Sequence, residues 1–338
     1  MNPQDVRTTA DARAIVEERG LGHVKVGVFD MDGILRGKYM SRDKFLSALD
    51  GGFGFCDVVL GWDSDDRLYD NVQYTGWHTA YPDASVRLIP ETCREIPFED
   101  GMLFFLSEFT PPADALCPRA MLRRMVDRAN ALGFEPLAAV EYEFFVFAET
   151  PTSVRKKGYR NLRPITPGNF GYSVLRNSVW SDFYAEILRT FDAMRIPIEG
   201  LHTETGPGVL EAAITVDKAL ESADRAALFK TFMKVIAQRN GMMATFMAKW
   251  STSYPGQSGH IHLSLKGTDG APKFHEEGAA HSMSPLMRHF VAGQKALMPE
   301  LLAMISPTVN SYTRMIPGAW APTNSNWGVD NRTTSLRV

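Results

Sequence analysis

Cysteine is scarce in this chain. Its 338 residues include three, Cys56, Cys93 and Cys117, too few and too scattered for a disulfide framework or a paired-cysteine zinc site. That usage suits a reducing cytoplasm. Long apolar runs are absent too. No stretch approaches the ~18 residues of a membrane span. Asp5, Asp11, Glu17 and Glu18 interrupt the segment where a signal peptide would sit. Neither charge dominates: Lys and Arg total 36 against 39 Asp and Glu, a net charge of −3, so no clustered positive charge is offered to nucleic acid. The P-loop and the dinucleotide Gly-x-Gly-x-x-Gly turn are both missing.

What remains is a globular composition, long enough for about two domains. Residues 1–112 read as a small α+β unit: a helix over Pro3–Arg19, a strand over His23–Asp30, a return strand over Ile34–Met40 and a helix capped by Ser41. Gly51–Asp70 reads as a loop, Phe104–Phe109 as a strand and Pro111-Pro112 as a linker. Residues 113–338 mix helices (Pro118–Leu132, Val179–Arg195, Asp217–Asn240, and Met283–Met304 bent near Pro299) with strands at Pro136–Phe147, Val209–Ile214, Met242–Trp250 and His260–Leu265. Arg155–Arg163 reads as a solvated basic loop. The irregular order favours an α+β fold over a doubly wound sheet.

Three segments bring unusual polar residues to apolar surroundings. Strand alternation puts Glu141 and Glu143 on one face with Ala139, Phe145 and Phe147, where carboxylates need a partner. Glu204 and Glu211 flank a Gly206-Pro207-Gly208 turn that can fold them back together. In Gly256–Leu265, His260, His262 and Ser264 share a face, and Ile261, Leu263 and Leu265 are expected to face the core. A His-x-His strand also occurs in cupin-type iron sites, but those need a glutamate close downstream, and the first here is Glu276. Carboxylates with one imidazole suit Mg²⁺ or Mn²⁺, and paired hard cations serve phosphoryl transfer. Arg314, Arg332 and Arg337 lie among small and apolar residues near the end of the chain, and guanidinium suits carboxylate and phosphate.

These segments together resemble the glutamine synthetase family: Glu-Tyr-Glu-Phe-Phe at 141–145, Glu204 through Gly-Pro-Gly to Glu211, His-Ile-His-Leu-Ser at 260–264, and Asn-Ser-Tyr-Thr-Arg to the last arginine at 310–337. The resemblance covers nearly the whole chain. It implies a small N-terminal β-grasp domain and a larger catalytic domain whose antiparallel sheet, flanked by helices, forms an active-site funnel. It implies ATP and L-glutamate as substrates with two divalent cations between them. By similarity, Glu143, Glu204 and Glu211 hold the first metal, and Glu141 and His260 the second. His262 and Ser264 contact the nucleotide, Gly256 and Arg314 bind glutamate, and Arg332 and Arg337 neutralise the transferring phosphoryl group. The family assembles as stacked homo-oligomeric rings, such as a dodecamer, and Asp63 resembles an aspartate lent to the neighbouring site.

Two departures matter. Ammonia-using members place a glutamate in the flap where this chain has Trp320, and Trp327–Thr334 is more similar to ligases of larger amines such as γ-glutamylpolyamine and γ-glutamylanilide synthetases. The family also continues past the equivalent of Val338 with a further metal-ligating glutamate, so the chain reads as a fragment or as a crippled enzyme. The expectation is an ATP-dependent glutamate–amine ligase. The alternatives are an ammonia-using glutamine synthetase and an inactive relative serving as a binding or scaffold protein.

Overall fold

The computed structural model describes residues 1–338. The chain divides into two compact units: Met1–Arg128 with Ala185–Pro197 and Ala223–Thr231, and the remainder, Ala129–Tyr184, Ile198–Ser222 and Phe232–Val338. No helix is long and apolar enough to cross a membrane. The three cysteines are free.

In the first unit, helix α1 spans Thr9–Glu18 rather than beginning at Pro3. Thr8 makes a capping box with Asp11, which fixes the start there, and Pro3–Asp5 form only a 3₁₀ turn. Strands β1 (His23–Phe29) and β2 (Leu35–Ser41) pair antiparallel across a turn held by buried Asp30, whose Oδ1 accepts from the Asp32 and Ile34 N–H groups. Val24, Val26 and Val28 are all buried, as their alternation requires. Ser41 caps α2 (Arg42–Gly51). The expected loop at 51–70 contains β3 (Phe53–Cys56), which pairs with β4 (Asp83–Leu88). Strand β5 (Arg94–Ile96) and β6 (Met102–Phe109) complete a mixed sheet ordered β2-β1-β6-β4-β3, with β5 also on β6. Helix α3 (Pro118–Ala131) buries Arg119 and Ala120, while Met121 and Met125 of its apolar stripe are exposed. Arg119 bridges two buried carboxylates, Glu108 at 2.8 Å and Asp224 at 2.9 Å.

The second unit is built on β7 (Phe134–Phe147). Four successive residues, Phe144 to Phe147, are fully buried, so both faces of this strand's end are covered. Helices α4 (Pro151–Lys156) and α5 (Val174–Val179) follow, then α6 (Ser181–Ala193), which belongs to the first unit from Ala185 on. Strands β8 (Ile198–Thr203), β9 (Val209–Ile214) and β10 (Asp217–Lys218) precede α7 (Ala219–Arg239), whose stretch Ala223–Thr231 also belongs to the first unit. Strand β11 is only Met243–Thr245, shorter than expected, and β12 spans Gly259–Gly267. Helix α8 (Pro285–Ile305) runs as one element with Pro299 inside it, and α9 (Val309–Arg314) precedes a small parallel ribbon of β13 (Trp327–Gly328) and β14 (Leu336–Arg337). The main sheet is antiparallel: β7 takes β9 and β10 on one edge and β12 and β11 on the other. Of the three apolar side chains on β12 only Leu265 is buried; Ile261 and Leu263 are 70% and 43% exposed, against the expectation that all three face a core.

Candidate active site

Register assembles the site in rows across β12, β7, β9 and β8. One row reads His260, Glu141, Ala213, Gly200; the next places Glu143 opposite Glu211 and Glu211 opposite His202. Ala213 and Gly200 leave space beside Glu141. Glu141 Oε2 lies 3.2 Å from both His260 Nδ1 and His262 Nε2. Glu143 Oε2 accepts from the Ser258 N–H at 2.6 Å. Glu204 leaves the end of β8, and its N–H donates to Val209 O across the Gly-Pro-Gly turn. Gly208 has φ +72°, and a Cβ there would lie 2.5 Å from Val146 O. The turn therefore needs glycine to approach β7.

The electrostatics record the crowding. Burial pushes the Glu143 carboxyl up to about 7, with Glu204 and Glu141 adding repulsion against the Ser258 N–H and Arg314. Burial raises Glu211 to about 7 as well, reinforced by Glu143, Glu141 and Glu204 and opposed by Arg332. Burial works to raise Glu141, but its two histidines outweigh it and hold that carboxyl below the usual range. Burial lowers His260 despite Glu141.

Like charges directly opposite on neighbouring strands destabilise a sheet, and buried carboxylates need a counter-charge. Ligand atoms of Glu141, Glu211 and His260 fall within 4.8 Å of one another, as do those of His202, Glu204 and Glu211. His202 Nε2 is buried with no hydrogen-bond partner, 3.9 Å from Glu211 Oε2. This oxygen-rich set with imidazole fits hard divalent cations. His202 was not singled out from the sequence, although alternation places it on the same face as Glu204. Tyr172, also missed, stacks on the His202 ring at 4.5 Å with φ +54°.

All the other expected residues but Asp63 lie in the same unit as these carboxylates. Asn310 exchanges hydrogen bonds with the Lys249 backbone at 2.8 and 2.6 Å, which fixes α9 and so Arg314 at its end. Arg314 is buried, donates to Ala319 O, and lies against Gly256, where a Cβ would come 2.0 Å from its Cδ. Trp320 follows that acceptor directly, with φ +56° and 73% of its surface exposed. Ser264 pairs with Leu137, two residues along the β12 face from His262. Arg332 acts electrostatically on Glu211 and Arg337 on His260. Asp63 belongs to the first unit. There its Oδ1 accepts from the Asp65 and Arg67 N–H groups at 2.8 and 3.0 Å, which hold its carboxyl below the usual range.

Comparison with known proteins agrees with this architecture. The glutamine synthetase catalytic-domain model matches residues 115–338. The chain belongs to the glutamine synthetase family. It is 46% identical to a type-1 glutamine synthetase 2 of Dictyostelium discoideum over 93% of its own length and 61% of that protein's. It is 35% identical to a glutamate–isopropylamine ligase of a Pseudomonas species, covering 100% of this chain and 74% of the relative. It is also 35% identical to a γ-glutamylethanolamide synthetase of Streptomyces coelicolor, over 97% and 71%. A GmaS–ADP complex shares the fold with a TM-score of 0.82 at 24% identity, over 96% of this chain and 73% of that one. The chain thus spans under two thirds of the first relative and roughly three quarters of the other two.

Proposed function

We propose that this chain carries the catalytic core of an ATP-dependent ligase that joins the γ-carboxylate of glutamate to a primary amine larger than ammonia. The observation that carries the amine part is Trp320, an exposed indole where ammonia-using members have a flap carboxylate. An indole accepts no proton, but it offers apolar surface to a hydrocarbon body. The relatives named for isopropylamine and ethanolamide support the same reading.

A carboxylate does not acylate an amine in water because its leaving group would be oxide. Breaking the bond between the γ-phosphorus and ADP while a carboxylate oxygen bonds that phosphorus turns the leaving group into phosphate. The amine nitrogen then bonds the acyl carbon, the carbon–oxygen bond to phosphate breaks, and the nitrogen loses a proton. In this chain Glu143, Glu204 and Glu211, and Glu141 with His260, would hold divalent cations. Bound there, Mg²⁺ or Mn²⁺ would offset the charge of the phosphates. Arg332 and Arg337 would neutralise the transferring group, His262 and Ser264 would orient the nucleotide, and Gly256 would let Arg314 close on the glutamate carboxylate. Asp63 would serve the amine pocket of a neighbouring subunit in a ring, with the small domain ending near residue 112.

The test is phosphate release with ATP, glutamate and a panel of ammonia, isopropylamine, ethanolamine and putrescine. Release that requires both glutamate and an amine, with an alkyl amine ahead of ammonia in kcat/KM, is expected. Ammonia equal or superior would return the chain to the ordinary synthetase reading. No release with any amine would favour an inactive binding protein.

A further inference from the structure

Away from the carboxylate rows, a groove of about 460 Å³ lies between one face of α8 and the segments at 280–283 and 327. Helical spacing sets its long wall: Arg288, Val291, Ala292 and Lys295 recur at intervals of three and four. Met283 and Val291 are buried and form an apolar floor, and Trp327, 44% exposed, supplies an aromatic wall. Both walls are anchored. Ser284 caps α8 through the Met287 N–H and donates its hydroxyl to Lys273 O at 2.6 Å. Ser325 Oγ donates to Lys295 O at 2.6 Å, tying the approach to Trp327 onto the helix.

The charge is one-sided. Arg288 and Lys295 are the charged residues of the lining, neither pairs with a carboxylate, and no acidic residue lines the groove, whose His281 adds a ring. Glu276 and Glu277 on the neighbouring loop are not among the lining residues. Small-molecule sites are typically concave, about 300–1,000 Å³, and mainly apolar with a few polar groups that fix orientation. Unpaired cations around an apolar, aromatic floor select an anion on a hydrocarbon body. The charge excludes amines, and with them the amine substrate proposed above.

We propose that this groove binds a small amphipathic anion, a carboxylate or phosphate carried on a flat or branched apolar body, at a site separate from the carboxylate rows. The body lies on Met283, Val291 and Trp327 and the anion meets Arg288 and Lys295. Its occupant touches the ribbon that bears Arg337, because Trp327 pairs with Leu336 and Gly328 with Arg337.

The experiment is calorimetric titration of the full chain with 4-phenylbutyrate, phenyl phosphate and 4-phenylbutylamine, with and without saturating ATP. We expect an anion to bind with Kd of roughly 0.1–1 mM, as a few apolar contacts and two charge-assisted bonds allow. The amine should bind about tenfold more weakly or not at all. The carboxylate and phosphate arms decide which headgroup is preferred. Arg288→Glu with Lys295→Glu, both at exposed helical positions, should weaken the anions about tenfold or more while leaving the melting temperature and ATP binding unchanged. Equal binding of the amine, an unaffected double variant, or complete displacement by ATP would overturn the proposal. None of these readouts requires turnover, so the outcome is independent of whether the ligase reading holds.

Discussion

Replacing Gly256 by alanine is a steric probe of the proposed glutamate subsite. The added Cβ would lie 2.0 Å from Arg314 Cδ, 2.8 Å from Arg314 Nε and 2.6 Å from Ala248 O. Carbon atoms pack best near 3.5–4.0 Å, so Arg314 would have to retreat by about 1.5 Å. Ala248 O cannot yield easily, because it accepts the Gln257 N–H at 2.8 Å. The arginine's retreat relieves its own part of the clash, and the contact with Ala248 O falls on the local backbone as a loss of stability. A charge-assisted hydrogen bond contributes about 1.5–3 kcal/mol, so glutamate affinity should fall by roughly 10- to 150-fold. Overpacking should also reduce stability by about 1–3 kcal/mol. The assay is glutamate titration together with ATP titration, which should not change, and a melting curve to confirm folding. Arg314→Ala supplies the cycle: in that background Gly256→Ala should add little further loss of glutamate affinity, while its cost in stability from the Ala248 O contact remains. A folded Gly256→Ala protein that binds glutamate within about twofold of the parent would refute the assignment of Arg314 to the substrate carboxylate.

The carboxyl groups of Glu143 and Glu211 titrate near 7 in the fold against an ordinary 4.5, so between pH 4.5 and 7 the folded state binds more protons than the unfolded one. That pair therefore lowers metal-free stability as pH rises through the window and adds no further slope above it. Glu143→Gln with Glu211→Gln should remove this component from a melting series in EDTA, and Mn²⁺ should raise the parent's melting temperature at pH 8 far more than at pH 5; identical slopes would refute the crowding argument. Trp320→Glu should shift kcat/KM from alkyl amines toward ammonia by about tenfold, since loss of ~60 Å² of apolar contact at ~25 cal/mol per Å² is about 1.5 kcal/mol; an unchanged amine ranking would remove Trp320 from the pocket. Arg119→Ala should cost about 3 kcal/mol in urea unfolding, because it removes the bidentate guanidinium from the buried Asp224 carboxylate and one of three arginines from Glu108, which keeps Arg87 and Arg123; a loss below about 1 kcal/mol would mean that the neighbouring groups take over its role.

The legible parts of the sequence were those with a strict period. Alternation placed Glu141 with Glu143 and His260 with His262, and the register joined those pairs into rows. The Gly-Pro-Gly turn likewise announced the return from Glu204 to Glu211. Period failed where tertiary pairing decides. Phe53 to Cys56 is a short run after two glycines, with a third inside it, that becomes a strand only because Asp83–Leu88 lies beside it. Helix α1 starts where Thr8 and Asp11 cap each other, a local bond that outweighs the polar stretch before it. Alternation also assigned Ile261 and Leu263 to a core, but a period fixes only which residues share a face, not which face is covered. His202 escaped notice because one histidine in a strand carries no pattern; only its register opposite Glu211 gives it meaning.

The opposition of Glu143 and Glu211 is a local rule broken at a functional place. Two carboxylates facing each other across a strand pair, Glu211 buried and Glu143 half-buried, oppose folding at neutral pH. The compensation is adjacent in sequence: Phe144 to Phe147 are buried on both faces of the same strand, and Phe145 and Phe147 pack with Val209, Trp250 and Met243. The apolar end of β7 thus holds in place a polar row that would not hold itself together. That division explains why the two carboxyls can be kept near pH 7, poised between protonation and metal. A cation bound there would convert the repulsion into attraction, so the arrangement that weakens the metal-free sheet is the one that would favour a hard cation under the proposed function.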